Sequence, residues 1–253
     1  MATVRRLPPA PQPQLYRFSA MDLATLCLYV AIAGFFAAAG DLVAPFLRQI
    51  TPSPAAASYA VNLLFYASVG ILALLAARKV VVRDLKVLAT RPWFTLLMVP
   101  AAVIAMMILT AVVVAANGQV ETSANQAGLQ ALMQQVPAWL MVPLLVVVGP
   151  FVEEYIFRHL LIGKLGRRVN VWICCALSVG LFAALHIVGQ EAITVTALLP
   201  YLAMGATLVF VYMWTGRNVM FSYFVHASKN LLAVILVYAI PPEVFNQMQN
   251  VQA

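Results

Sequence analysis

The stretch Gly149-Pro150-Phe151-Val152-Glu153-Glu154-Tyr155-Ile156-Phe157-Arg158-His159 interrupts an apolar run, 138–161, that is long enough to cross a bilayer. Charged side chains at that depth cost at least about 2.5 kcal/mol each on insertion scales, so they mark a functional site. On a helix, Glu154 and Arg158 share a face, whereas Glu153 points about 100° away. One carboxylate can therefore be held by the arginine while its neighbour is directed elsewhere.

The proline just before this pair predicts a local break in the helix. Pro150 has no backbone N–H to donate, so the carbonyl of Val146 loses its helical partner. We therefore expect a kink immediately before the two glutamates.

The composition around this stretch indicates an all-α, polytopic membrane protein. Of the 253 residues, 64% are hydrophobic and 9% are charged, against about 25% charged in soluble domains. A net charge of +7 would suggest nucleic acid in a soluble protein. Here the basic residues lie in alternate loops, so membrane orientation explains them and no nucleic-acid partner is predicted. The cysteines, Cys27, Cys174 and Cys175, form neither a disulfide framework nor a CxxC site and are predicted to be packing residues.

About seven transmembrane helices are predicted, at 21–39, 59–77, 93–116, 138–162, 171–188, 193–214 and 219–240. They form one transmembrane domain, 20–240, between a disordered cytoplasmic tail at 1–19 and a short polar tail at 241–253. The alternative that the first segment is a cleaved signal peptide is disfavoured, because the apolar run is long and starts late. The polar stretch 117–137 carries Leu129, Leu132, Met133 and Val136 at helical spacing, which predicts a short helix on the membrane surface.

The basic residues predict the orientation. A cytoplasmic N-terminus puts 12 of the 15 Lys and Arg residues in cytoplasmic tails and loops, with Arg48 outside and Arg158 and Lys229 inside helices. We therefore expect the N-terminus in the cytoplasm and the C-terminus outside.

A few polar side chains lie inside the later apolar segments. His226 and Asn230 are four residues apart and leave the same helix face. This pair could serve as interhelical glue, and His186 alone could be a hydrogen-bonded core residue. Lys229 is expected to snorkel to the headgroups rather than to pair with a carboxylate. His159 is expected at the cytoplasmic interface.

Together these residue types form the parts of a hydrolytic centre. A glutamate can activate water, neutral histidines can position water or bind a divalent metal, and an asparagine amide can stabilise an oxyanion. Other protease chemistries are missing, because the chain has neither HExxH nor GxSxG. An aspartyl pair is also excluded, since Asp22, Asp41 and Asp84 lie at segment ends or in loops.

Three motifs in order carry a family resemblance. Glu153-Glu154-x-x-x-Arg158, Phe182-x-x-x-His186 and His226-x-x-x-Asn230 resemble those of the CPBP family, the CAAX-processing and bacteriocin-processing intramembrane endopeptidases, also called the Abi family. The similarity covers 143–236, within a CPBP-like core at 138–240.

The resemblance implies roles for these residues. Glu153 would activate water, and His186, His226 and Asn230 would complete the catalytic set. Glu154, Arg158 and Phe182 would support that set. If the protein is metal-dependent, Glu153, His186 and His226 would hold a divalent ion such as zinc; members have been described both as metalloproteases and as metal-independent glutamate proteases.

Two features depart from the family's pattern. The position after the arginine is commonly small, and His159 there implies different local helix packing. With the fifth segment beginning at 171, His186 lies one to two turns deeper from the cytoplasm than Glu153, a mismatch that a later start of that segment would correct.

The sequence thus predicts an intramembrane endopeptidase that hydrolyses a membrane-associated peptide, of a CAAX-type prenylated or leader class, in a bacterial inner (plasma) membrane. The expected partners are the lipid bilayer and this peptide. A proton-coupled transporter using the same buried residues, and a non-catalytic immunity or scaffold protein, are the alternatives.

Overall fold

The computed structural model describes residues 13–117, 124–188 and 194–239, and within them every regular element is helical. A 3-10 turn, Pro13–Tyr16, precedes α1 (Ala20–Ile50), α2 (Pro54–Ala89), α3 (Pro92–Asn117) and α4 (Ala124–Met133). A continuous helical run, Ala138–Arg167, contains α5 (Ala138–Val142) and α6 (Gly149–Glu154) with π-helical turns at Pro143–Val148 and Tyr155–Lys164. It is followed by α7 (Val171–His186), α8 (Val195–Trp214) and α9 (Val219–Ala239).

Six of the described helices are long and apolar enough to cross a membrane. The chain is therefore an all-α polytopic membrane protein, as predicted. The fifth predicted segment is the exception to the count of seven: α7 has 16 residues. At 1.5 Å per residue it rises about 24 Å, less than a hydrocarbon core of about 30 Å.

Two predicted loops are helical. The connection after the first segment belongs to α1, which has 31 residues, and the basic loop after the second belongs to α2, which has 36. Charged residues outside the apolar core do not by themselves stop a helix. The extension of α2 contains neither glycine nor proline, and α1 continues through Gly40 and Pro45. The ends lie where capping residues occur: Ser53 accepts from the backbone N–H of Ala56 at the start of α2, before Pro54.

The run Ala138–Arg167 lies at the centre and packs against α2, α7 and α9, and α3 and α8 pack against these helices in turn. Its side chains dominate the main apolar core, which includes Val69, Val152, Tyr155, Phe157, Phe182, Leu208 and Val225. In contrast to the predicted packing role for all three cysteines, Cys174 and Cys175 are buried whereas Cys27 is exposed.

The end that carries the basic residues is held by buried polar contacts. Asp22 completes a capping box with Ser19, accepts from the Tyr155 hydroxyl and pairs with Lys164 at 2.6 Å. Asp84 accepts from the backbone N–H of Val219 at 2.6 Å and so caps α9. The two aspartates were predicted at segment ends or in loops; both are fully buried, and each links its own helix to another part of the chain by hydrogen bonds.

The predicted surface helix is α4, and its apolar side faces the protein. Leu132 and Met133 pack with Val136 against Met141 and Val234. The parts of the predicted tails at 1–12 and 240–253, and the predicted break at 189–191, lie outside the described residues, as do 118–123.

Candidate active site

The helix carrying the two glutamates changes register just before them. In the π-helical turn Pro143–Val148, the Gly149 N–H bonds the carbonyl of Leu144, five residues back. The next donor in that register would be Pro150, which has no N–H, so the Leu145 carbonyl lacks a backbone donor. That carbonyl accepts from Asn230 Nδ2 at 3.0 Å. The predicted irregularity is present, but the freed carbonyl is that of Leu145 and not of Val146, because the local register is π rather than α.

Glu153 points into a cavity with one oxygen uncommitted. Its Oε1 accepts from the Tyr66 hydroxyl at 3.4 Å. Its Oε2 is buried without a hydrogen-bond partner and lies 3.6 Å from His226 Nε2 and 3.9 Å from His186 Nε2. A buried carboxylate oxygen facing two imidazoles is placed to receive a proton from a water between them.

Glu154 points the other way, as the helix geometry predicts. Its Oε2 lies 3.3 Å from Arg158 Nε, with both side chains completely buried. The arginine also donates from Nη2 to the Gly205 carbonyl and lies over the Phe182 ring at 4.8 Å. A buried ion pair needs such additional partners because both charges have lost their water.

The remaining oxygen of Glu154 orients His226. Glu154 Oε1 lies 3.1 Å from His226 Nδ1, and a carboxylate accepts, so the proton is on Nδ1. The Nε2 atom is thereby turned towards Glu153. The arginine, the second glutamate and the histidine form one chain of contacts that ends at the cavity.

His186 is oriented by the backbone of its own helix. Its Nδ1 lies 2.7 Å from the Phe182 carbonyl, which can only accept, so Nδ1 carries the proton and Nε2 presents a lone pair to the cavity. The ring also stacks on Tyr201 at 4.7 Å. The four-residue spacing of Phe182 and His186 thus lets a backbone carbonyl select the tautomer.

The fifth predicted segment begins at Val171, where its start was predicted, so no later start is needed to match the depths of Glu153 and His186. The central run continues past 162 to Arg167, which places Glu153 fourteen residues from its end. His186 lies fifteen residues from the start of α7. The two rises are nearly equal, and this brings both side chains to the same depth.

A cavity of about 120 Å³ collects these side chains. Its walls are formed by Asn62, Tyr66, Asn125, Gln126, Leu129, Leu144, Leu145, Gly149, Pro150, Glu153, His186, Tyr201, Met204, His226, Lys229 and Asn230. The structure thus brings together the four residues expected to be catalytic, whereas Glu154, Arg158 and Phe182 lie behind them. By volume the cavity has room for several water molecules.

Two sequence interpretations are wrong at this site. Lys229 does not reach the headgroups: it lies ten residues into α9 and lines the cavity with Glu153. His159 is not interfacial: it is 1% exposed, and its ring lies between those of Tyr16 and Tyr155, at 5.5 and 5.9 Å. In both cases the side chain faces a neighbouring helix that a hydropathy profile does not identify.

Sequence reasoning missed the contribution of α2. Asn62 and Tyr66 line the cavity, and Tyr66 contacts Glu153 directly. Their four-residue spacing in an apolar helix is the same signal that identified His226 and Asn230, so this pair could have been found.

The side chains that the resemblance implies as metal ligands, Glu153, His186 and His226, line the same cavity. Within residues 13–117, 124–188 and 194–239, no cluster of three or more His, Cys, Asp or Glu is arranged to hold a metal ion. Three side chains nevertheless face one point in the cavity from separate helices. This arrangement suits a bound water held by hydrogen bonds.

Comparison with known proteins agrees with this geometry. The family model "Type II CAAX prenyl endopeptidase Rce1-like" matches residues 135–232, the stretch that contains all three motifs. The chain is 32% identical over 114 residues to the "Putative membrane peptidase YdiL" of Bacillus subtilis (strain 168), covering 45% of this chain and 43% of that protein. The chain thus matches less than half the length of this relative. No solved structure matches. The match over 135–232 agrees with the resemblance to the CPBP family that the three motifs carry.

Proposed function

We propose that the protein is an intramembrane endopeptidase in which Glu153 activates water. The observation that carries the proposal is Glu153 Oε2, which is buried without a hydrogen-bond partner and faces His186 Nε2 and His226 Nε2 across the cavity. The match of residues 135–232 to a family model of type II CAAX prenyl endopeptidases supports the same interpretation. The proposed setting is a bacterial plasma membrane, and the proposed substrate is a membrane-associated peptide.

The proposed reaction uses water and these side chains. Glu153 Oε2 takes one proton from a water, and His186 Nε2 accepts a hydrogen bond from the other. The water oxygen attacks the carbonyl carbon of the scissile peptide, and the negative charge develops on the former carbonyl oxygen. Glu153 then gives its proton to the leaving amine as the C–N bond breaks, and carboxylic acid and amine products result.

Asn230 is the proposed donor to the developing oxyanion. One N–H of its amide bonds the Leu145 carbonyl, which holds the group in place and leaves the second N–H for the substrate. A donor fixed before the reaction stabilises the transition state without reorganising.

The test compares membranes from cells that make the wild-type protein or Glu153→Gln at matched levels. Mass spectrometry of peptide termini is expected to find new termini with wild type alone, because the amide cannot accept the proton of water. Arg48→Gln, at an exposed site that does not line the cavity, is the matched control and should retain them. Identical termini with folded, inserted Glu153→Gln would overturn the proposal.

A further inference from the structure

A groove runs along the last turns of α2, at the end of the molecule that carries most of the basic residues. It has a volume of about 500 Å³, and none of its described lining residues lines the catalytic cavity. Its basic side chains are Lys79, Arg83 and Lys86, and its apolar ones are Leu15, Val82 and Val87. Those from α2 are spaced by three, four and seven residues, so they form one face of the helix.

The two lysines of this groove are unpaired, whereas the arginine is not. Arg83 forms an ion pair with Asp84 and donates to the Tyr16 hydroxyl at 3.0 Å. Lys79 and Lys86 are exposed and make no ion pair or hydrogen bond with the part of the chain that the structure describes. Asp84 is buried and also accepts from the Val219 N–H, so it does not neutralise them. The groove therefore presents two unbalanced positive charges.

The wall opposite the lysines is fixed by the N-terminal turn. Leu15 belongs to the 3-10 turn Pro13–Tyr16. The Tyr16 side chain is buried, with its ring 5.5 Å from that of His159, and its hydroxyl donates to the Arg217 carbonyl at 3.2 Å. These contacts hold Leu15 in place, so the groove is already formed without a ligand.

The groove lies at the level where the bilayer ends. Trp93, Trp172 and Trp214 are exposed and lie at the ends of α3, α7 and α8 on the basic side, where an aromatic belt marks the interface. Asp84 is level with this belt, because it caps α9 at Val219. Lys79 lies five residues before Asp84, and Lys86 two residues after it. Helical side chains lean towards the helix N-terminus, so both lysines lean towards the bilayer.

The same face of α2 continues into the bilayer as an apolar surface. Leu75 and Ile71, four and eight residues before Lys79, are 48% and 61% exposed. Along this face an apolar stretch is thus followed by two free ammonium groups at the interface. Acyl chains and a phosphate group follow one another in the same order in a phospholipid.

We propose that the groove binds an anionic phospholipid, with Lys79 and Lys86 on its phosphate group and its acyl chains along Leu75 and Ile71. Lysines near the membrane surface attract anionic lipids. A soluble acidic peptide would match the lysines but would leave Leu75 and Ile71 uncovered. Residues 1–12 of this chain are not the occupant, because they contain Arg5 and Arg6 and no acidic residue.

Native mass spectrometry of the intact chain in detergent tests this site. The protein is titrated with phosphatidylglycerol, or with phosphatidylcholine of the same acyl chains, and the Kd of the first bound lipid is measured. Lys79→Gln/Lys86→Gln is expected to weaken phosphatidylglycerol binding by about 10–30-fold and to leave phosphatidylcholine binding unchanged.

Arg78→Gln/Arg91→Gln is the matched control. It removes the same charge from two exposed residues at the same end that do not line the groove, and it should keep the wild-type affinity for phosphatidylglycerol. Equal weakening in both double variants would show that the lipid responds only to the net charge of this end. Unchanged affinity in Lys79→Gln/Lys86→Gln would show that the lysines do not hold the lipid. Either result would overturn the proposal.

A fluorescent hexaglutamate peptide, titrated in parallel, tests the other occupant. We expect it to bind weakly and equally to all three proteins. If Lys79→Gln/Lys86→Gln loses this peptide but retains phosphatidylglycerol, the groove is a site for an acidic peptide and the lipid proposal is wrong. These measurements require no cleavage, so their outcome is independent of the proposed endopeptidase activity.

Discussion

Arg158 is the largest completely buried side chain among the described residues, and its charge is balanced by Glu154 alone at ion-pair distance. Glu154→Gln removes that charge and leaves the guanidinium unpaired. We expect a loss of about 3–5 kcal/mol of stability, measured by thermal unfolding in detergent, because an uncompensated buried charge remains.

The double variant Glu154→Gln/Arg158→Met separates stability from orientation. Removing both charges should restore much of the thermal stability, whereas cleavage should stay low because His226 has lost the carboxylate that orients it. Arg48→Gln serves as the exposed control. If Glu154→Gln alone is as stable as wild type, the ion pair between Glu154 and Arg158 does not stabilise the fold.

Replacing Asn230 is expected to affect stability and the cleavage rate separately. Asn230→Ala is expected to cost about 1 kcal/mol of stability through the lost bond to the Leu145 carbonyl. The cleavage rate should fall by about 10²–10³, the usual effect of losing one oxyanion donor. The two quantities are measured by thermal unfolding and by kcat on a peptide identified from the termini. If the cleavage rate falls no further than the smaller fraction of folded protein explains, Asn230 is not a donor to the oxyanion.

At the scale of elements, the π-helical turn before the glutamates connects a missing N–H to a catalytic side chain. Pro150→Ala supplies an N–H that competes with Asn230 for the Leu145 carbonyl. Thermal stability should hold or rise, because proline is unfavourable inside helices, while the cleavage rate should fall as Asn230 is displaced.

Pro100→Ala is the matched control for this helix. Pro100 also lies inside a long helix, α3, and its side chain is exposed away from the cavity. Its replacement should match the stability change of Pro150→Ala and leave cleavage unchanged. Equal activity of the two variants would show that the register change does not position Asn230.

At the scale of the whole molecule, Asp22 attaches α1 to the helices around it. Its carboxylate bridges the Tyr155 hydroxyl and Lys164, which is 4% exposed. Asp22→Ala should lower stability by about 3–5 kcal/mol, because a buried ammonium group loses its partner. Thermal unfolding measures the loss, and Asp22→Ala/Lys164→Met should recover part of it. Unchanged stability of Asp22→Ala would show that the contact between Asp22 and Lys164 does not stabilise the fold.

The sequence by itself determined the class of fold and the parts of the site that lie within one helix. Apolar runs of about 20 residues identify membrane helices because the bilayer sets their length. The four-residue spacings of Glu154 with Arg158 and of His226 with Asn230 predict shared faces because the helix repeat is local. The three motifs, in order, carried the resemblance to the family whose model matches residues 135–232.

Only the tertiary structure decided how these faces meet. The contact between Asp22 and Lys164 joins residues 142 positions apart, and that between Tyr66 and Glu153 joins residues 87 apart. No local periodicity encodes such contacts, since they depend on how whole helices pack. For the same reason the burial of His159 and the place of Lys229 in the cavity emerged only from the packed helices.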